Sequence, residues 1–104
     1  MSIKKKSKTM AALEKIAGEA LCLGNLIESI RLGEDESLVE FAKKLKISRS
    51  HLCDIEKGRK SVSAAKAAEY AKVLGYSKEQ FVRLALQDEV NRSGLKMKIK
   101  VEVA

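Results

Sequence analysis

Apolar side chains recur three and four residues apart through most of the chain, then switch to strict alternation at its end. The first rhythm is that of helices with one buried stripe, and the second that of a half-buried strand. Met10, Leu13, Ile16 and Ala17 open the helical pattern; Thr9 is placed to cap it and Gly18 to end it. After a short linker, Gly24 opens a second segment with Leu26, Ile27 and Ile30 inward, helped by Leu23, and Gly33 stops it. Ser37 and Glu40 form an S-x-x-E capping box, behind which Leu38, Phe41, Ala42 and Leu45 share a face. The acidic run Glu34, Asp35, Glu36 just before it suits the positive end of a helix dipole. Ile47 falls in a turn, Ser48 is the next N-cap, Leu52 and Ile55 point inward, and Gly58 ends that helix. Ser63 caps a segment whose inward positions are Ala64, Ala67, Ala68, Ala71 and Leu74, with Gly75 at its end; the alanines predict close approach of a neighbouring helix. Ser77 and Gln80 form a second capping box, and Phe81, Val82, Leu84, Ala85 and Val90 run on to Gly94.

In residues 95–103 the apolar Leu95, Met97, Ile99, Val101 and Val103 alternate with Lys96, Lys98, Lys100 and Glu102. A lone strand is not self-supporting. Fixing its backbone costs ~1–2 kcal/mol per residue, and burying each apolar side chain returns only ~1.5–3 kcal/mol. No second strand is evident in the sequence. The same strand of another copy, antiparallel about a two-fold axis, is therefore the expected partner, which assigns those five apolar residues to dimerisation. The rival reading is a strand that augments a sheet in a different protein.

Length and composition narrow the picture. At 104 residues the chain suits one domain, and no proline, no tryptophan and six glycines favour helices over a sandwich of short strands. Three sections are expected: a basic tail and lead-in helix at 1–22, a helical domain at 23–94, and the strand at 95–104. A net charge of +7 points to a polyanionic partner rather than to a fold. Lys4, Lys5, Lys6 and Lys8 form a solvated tail or an arm for phosphates. Cys22 and Cys53 lack metal-site or redox-motif spacing and there is one histidine, so neither a zinc site nor a cofactor is expected. Two free thiols suit a reducing cytoplasm. No apolar run nears the ~20 residues of a membrane span. No nucleophile has an evident base and there is no glycine-rich phosphate loop, so an enzyme is not expected.

The residues at 37–58 read as two helices of about eight residues joined by a short turn, the helix-turn-helix unit, whose second helix enters the DNA major groove. Ala42 leaves room for the crossing, and Phe41, Leu45, Ile47, Leu52 and Ile55 lock it. The run FAKKLKISRSHLCDIEKGRKSVS, followed by AAEYAKVLGYS, resembles the phage repressor and Cro (Xre) family. Phe41-Ala42, Ile47-Ser48 and Ile55-Glu56-Lys57-Gly58 match that family's pattern, and the resemblance covers about residues 23–77.

The resemblance implies a mainly α fold: a five-helix repressor-like domain with helices at 23–31, 37–45, 48–57, 63–74 and 77–91, with an extra N-terminal helix outside that core; the alternation at 95–103 adds the strand paired across a dimer. It implies a sequence-specific regulator of double-stranded DNA, a repressor on a palindromic operator. Proteins of this kind also include antitoxins that bind a toxin protein and repress their own operon. Carried over by position, Arg49, Ser50 and Asp54 would face bases. Arg49 suits a bidentate contact to guanine, and Asp54 would accept from cytosine or orient Arg49 or Arg59. His51 and Leu38 would flank the reading face. Ser48, Lys46, Lys57, Arg59 and Lys60 would contact phosphates, with Lys43 and Lys44 in the same basic cluster. Glu56 would be structural, bonded to a basic residue or to backbone. Leu38 departs from the glutamine usual at its position and removes one expected polar contact.

Overall fold

The structure, a computed structural model, describes residues 22–104. The basic tail and the lead-in helix expected at 9–18 lie outside the described residues. Five helices follow one another: α1 (Leu23–Gly33), α2 (Leu38–Leu45), α3 (Arg49–Glu56), α4 (Ala64–Leu74) and α5 (Lys78–Arg92).

Serine starts four of them. Ser37, Ser48, Ser63 and Ser77 each sit in extended backbone, and each Oγ accepts from the backbone N–H three residues on, at Glu40, His51, Lys66 and Gln80. Each thereby satisfies one of the orphan donors that open a helix. The Ser37–Glu40 box closes in both directions. The box expected at Ser77 is half made: Ser77 Oγ donates to Glu79 Oε1 instead of Gln80 reaching back. Helix α1 has no side-chain cap at Cys22. Its Leu23 N–H donates to Asp88 Oδ2 of α5 at 3.1 Å, a cap supplied across 65 residues of sequence.

One core joins all five helices. Leu23, Leu26, Ile27 and Ile30 of α1 meet Phe41, Ala42 and Leu45 of α2, Leu52 and Ile55 of α3, Ala67, Tyr70, Ala71 and Leu74 of α4, and Phe81, Leu84 and Ala85 of α5. The α4–α5 contact is the most extensive of the helix pairs, and Ala67 and Ala71 are both fully covered there, as their small size predicted. Ala64 and Ala68 are only half-buried. Tyr70, absent from the expected stripe, is among the largest fully buried side chains instead. Its ring fills the core, and the same burial raises the phenol pKa.

The strand expected at 95–104 is not shown: no strand is assigned among the described residues of this single chain. The physical reason is that a strand is defined by its ladder, and the described chain offers no second strand to pair with. The segment is tied instead to α5. Gln87 Nε2 donates to Met97 O at 2.7 Å, and Gln87 Oε1 accepts from Ile99 N at 2.8 Å. No described helix is long and apolar enough to cross a membrane.

Candidate nucleic-acid interface

Helices α2 and α3 are joined by residues 46–48, and the turn is built by Lys46. Its backbone is left-handed, φ 60°, a conformation that costs a side-chain-bearing residue roughly 1–2 kcal/mol. Lys46 N–H donates to Lys43 O and Ile47 N–H to Ala42 O, which closes α2 and turns the chain toward α3. Ile47 packs against the core from the turn, and Leu38 packs against it from the first turn of α2.

The back of α3 is locked in three ways. Leu52 and Ile55 are buried. Gly24 of α1 lies so close that a Cβ built on it would stand 2.2 Å from Ile55 O, a backbone atom. Glu56, 5% exposed, is the buried charged residue of the core region. Its carboxylate accepts a two-pronged contact from Arg31 of α1, Nε to Oε2 at 2.8 Å and Nη2 to Oε1 at 3.1 Å. Arg31 Nη1 adds a bond to Glu36 O at 3.0 Å. The Glu56 hydrogen bond raises the Arg31 pKa. An acidic residue at the end of a helix is unfavourable to the dipole, and Arg31 neutralises that local charge. Glu56 is thus structural and bonded to a basic residue, as expected. Arg31 carries no assigned role in the sequence, and Gly24 reads there only as the opening of its segment. The one available signal was a glycine inside a helical stripe, where it costs ~0.5–1 kcal/mol against alanine.

The front of α3 is open. Arg49 and Ser50 are exposed in its first turn, with Ser48 exposed at the cap. The Ser48 oxygen is occupied as acceptor by His51 N–H at 3.0 Å, which leaves its own hydroxyl hydrogen free to donate. His51 and Cys53 are half-buried beside that face. Asp54, one turn beyond Ser50, is held by the loop that follows. Arg59 and Lys60 N–H both donate to Asp54 O, at 2.8 and 3.1 Å, and Arg59 Nε donates to Asp54 Oδ1 at 2.9 Å. Gly58, at φ 78°, makes the left-handed reversal that brings Arg59 back. Asp54 thus bonds to Arg59, whose guanidinium pKa rises through that bond.

Cations lie on both sides of this face. Lys43 and Lys46 precede it and Lys57, Arg59 and Lys60 follow it, all exposed. Lys44 leaves the cluster. Its Nζ pairs with Glu36 at 2.5 Å and Glu34 at 3.7 Å, and the Glu36 bond raises its pKa. The acidic run Glu34–Glu36 therefore serves α2 partly through a lysine and not through the dipole alone. The described residues hold no cluster of three or more metal-ligating side chains.

A family model described as helix-turn-helix matches residues 27–81, more than half of the 104 residues. Searches of curated proteins and of solved structures found no match.

Proposed function

The chain belongs to the helix-turn-helix family, and from that premise we propose that it is a sequence-specific transcriptional repressor gripping a palindromic operator as a homodimer in the cytoplasm. That it is a DNA-binding regulator follows from the family; the finer reading rests on α3. The observation that carries it is the division of that helix, which is buried and ion-paired behind and exposed and polar in front. An α-helix with its side chains is about 10–12 Å across and fits the major groove, about 12 Å wide.

In this reading Arg49 and Ser50 meet base edges from the first turn. Asp54 contributes through Arg59, which it holds beside the reading face. Ser48, Lys46, Lys57, Arg59 and Lys60 take phosphates and set the register, with His51 at the flank. Leu95, Met97, Ile99, Val101 and Val103 supply the dimer contact. It sets two reading heads one helical turn apart, about 34 Å.

Selection of bound sequences from random duplex DNA tests it. A palindromic consensus is expected. Arg49→Ala then costs ~1–3 kcal/mol at the selected site and relaxes base preference at one position. Lys60→Ala weakens all sequences alike and flattens the salt slope by about one. Unchanged affinity and preference in Arg49→Ala would place the reading face elsewhere.

A further inference from the structure

The C-terminal segment has one backbone edge occupied and one open. The Gln87 amide bonds to Met97 C=O and Ile99 N–H. In extended backbone the C=O of one residue and the N–H of the next-but-one point to the same edge, and both groups of the residue between point to the other. The odd-numbered edge is therefore turned toward α5. Asn91 Oδ1 steadies the amide by accepting from the same Nε2 at 3.0 Å. Lys96, Lys98, Lys100 and Glu102 present the opposite edge. All four are exposed, and none of their backbone groups bonds to another described residue. Along the same segment Leu95 is 50%, Met97 60% and Val103 77% exposed.

We propose that a second copy of this chain pairs antiparallel along that even-numbered edge, with the two-fold axis at Ile99. This rests on the homodimer reading above and gives it an edge and a register. Ile99 then faces the partner's Ile99, Met97 the partner's Val101, and Leu95 the partner's Val103. Lys96 stands opposite the partner's Glu102, and the symmetry repeats each pair. The choice follows from the pattern itself, because the apolar positions are symmetric about Ile99. Sliding the strands by two residues in either direction leaves Leu95 or Val103 without an apolar partner on both copies. The chosen register sets Lys98 against the partner's Lys100, an unfavourable pair. Those lysines lie on the solvated face, where long side chains splay and salt screens them, whereas an unburied leucine has no such escape. Gln87 also excludes a wider sheet, since at residues 97–99 it fills the edge that a third strand would need.

The test uses the full chain with Cys22→Ser and Cys53→Ser as background. In this register Ile99 is a non-hydrogen-bonded pair, with Cα atoms ~4.5 Å apart, within disulfide reach. Ile99→Cys is expected to oxidise to a covalent dimer. Val101→Cys alone is not, while Met97→Cys with Val101→Cys is. In a second series without cysteines, Lys96→Glu weakens dimerisation at least tenfold and Glu102→Lys added to it restores the affinity. Rescue of Lys98→Glu by Glu102→Lys, with no cross-link at position 99, would overturn the register. A dimer indifferent to every one of these changes would overturn the strand pairing but leave the homodimer. Sedimentation of the unsubstituted chain as a monomer, alone and on operator DNA, would overturn the homodimer itself. If Ile99→Cys stays monomeric and a co-purifying protein instead protects the Lys98 amide from exchange, the edge belongs to a foreign strand and the proposal fails.

Discussion

The reading head and the C-terminal segment are both positioned by neighbouring residues of α5, yet they are held in opposite ways. Asp88 reaches back to the first N–H of α1, behind which lie the shared core, the Gly24–Ile55 contact and the Arg31–Glu56 pair. Gln87, one residue earlier, holds residues 97–99 by a single amide, with Leu95, Met97 and Val103 left half or more exposed. The contrast teaches where each part gets its order. The head is finished by contacts within one chain. The tail is aimed by one side chain and keeps an apolar face uncovered.

The sharpest way to break the head is to remove Arg31. Arg31→Ala strands a buried carboxylate, and urea unfolding is expected to show a loss of ~3–5 kcal/mol. Replacing both partners, Arg31→Met with Glu56→Met, should recover most of it, because two apolar side chains need no compensation. A loss below ~1 kcal/mol in Arg31→Ala would mean that the pair behaves as a surface bridge.

Next in size is Gly24→Ala. The added methyl meets backbone at Ile55, so α1 and α3 must separate, at ~1–3 kcal/mol by the usual penalty for overpacking. Because α3 shifts with it, DNA affinity should fall by more than global stability alone accounts for, as measured on folded protein at low temperature.

The tail should answer differently. Gln87→Ala is expected to lower global stability by no more than the ~0.5–1.5 kcal/mol of a typical net hydrogen bond. It should also abolish protection of the Ile99 amide in hydrogen exchange. If protection persisted, the side chain would not be what holds the segment.

The smallest effect concerns Asp88. Burial raises its pKa above the ordinary 3.8, opposed by the Leu23 N–H and by Arg92. A carboxyl raised on folding gives the native state the greater proton affinity. Its contribution to stability is most favourable in acid and is lost as pH rises through the raised value. Asp88→Asn keeps an oxygen for Leu23 N–H and removes that titration. Its stability relative to the unsubstituted chain should therefore improve as pH rises from about 4 toward neutrality.

Much of the head was legible in sequence because its signals are local. A serine before an apolar stripe, with its acceptor spent three residues on, reads the same on paper as in the folded chain, and four helices began where such serines stood. The parts that were not legible join distant residues. Nothing near Arg31 marks it as the partner of Glu56, 25 positions away. Gly24 looked like a helix opening, whereas its lack of a side chain serves a crossing with α3. Asp54 had several possible partners until the Gly58 reversal brought Arg59 to it. In the tail, alternation separates apolar from charged positions. It could not say which backbone edge was free, since that depends on where Gln87 falls when α5 is folded.

The two-sided construction of α3 has a consequence for how such a protein changes over generations. Leu52, Ile55 and Glu56 hold the helix in the fold, while Arg49 and Ser50 touch nothing that the fold depends on. Surface positions of this kind tolerate replacement within about 0.5 kcal/mol. With Arg49 and Ser50 reading bases as proposed above, selection can rewrite those two positions without first acquiring spare stability, and a lineage can wander among binding targets while its architecture stands still.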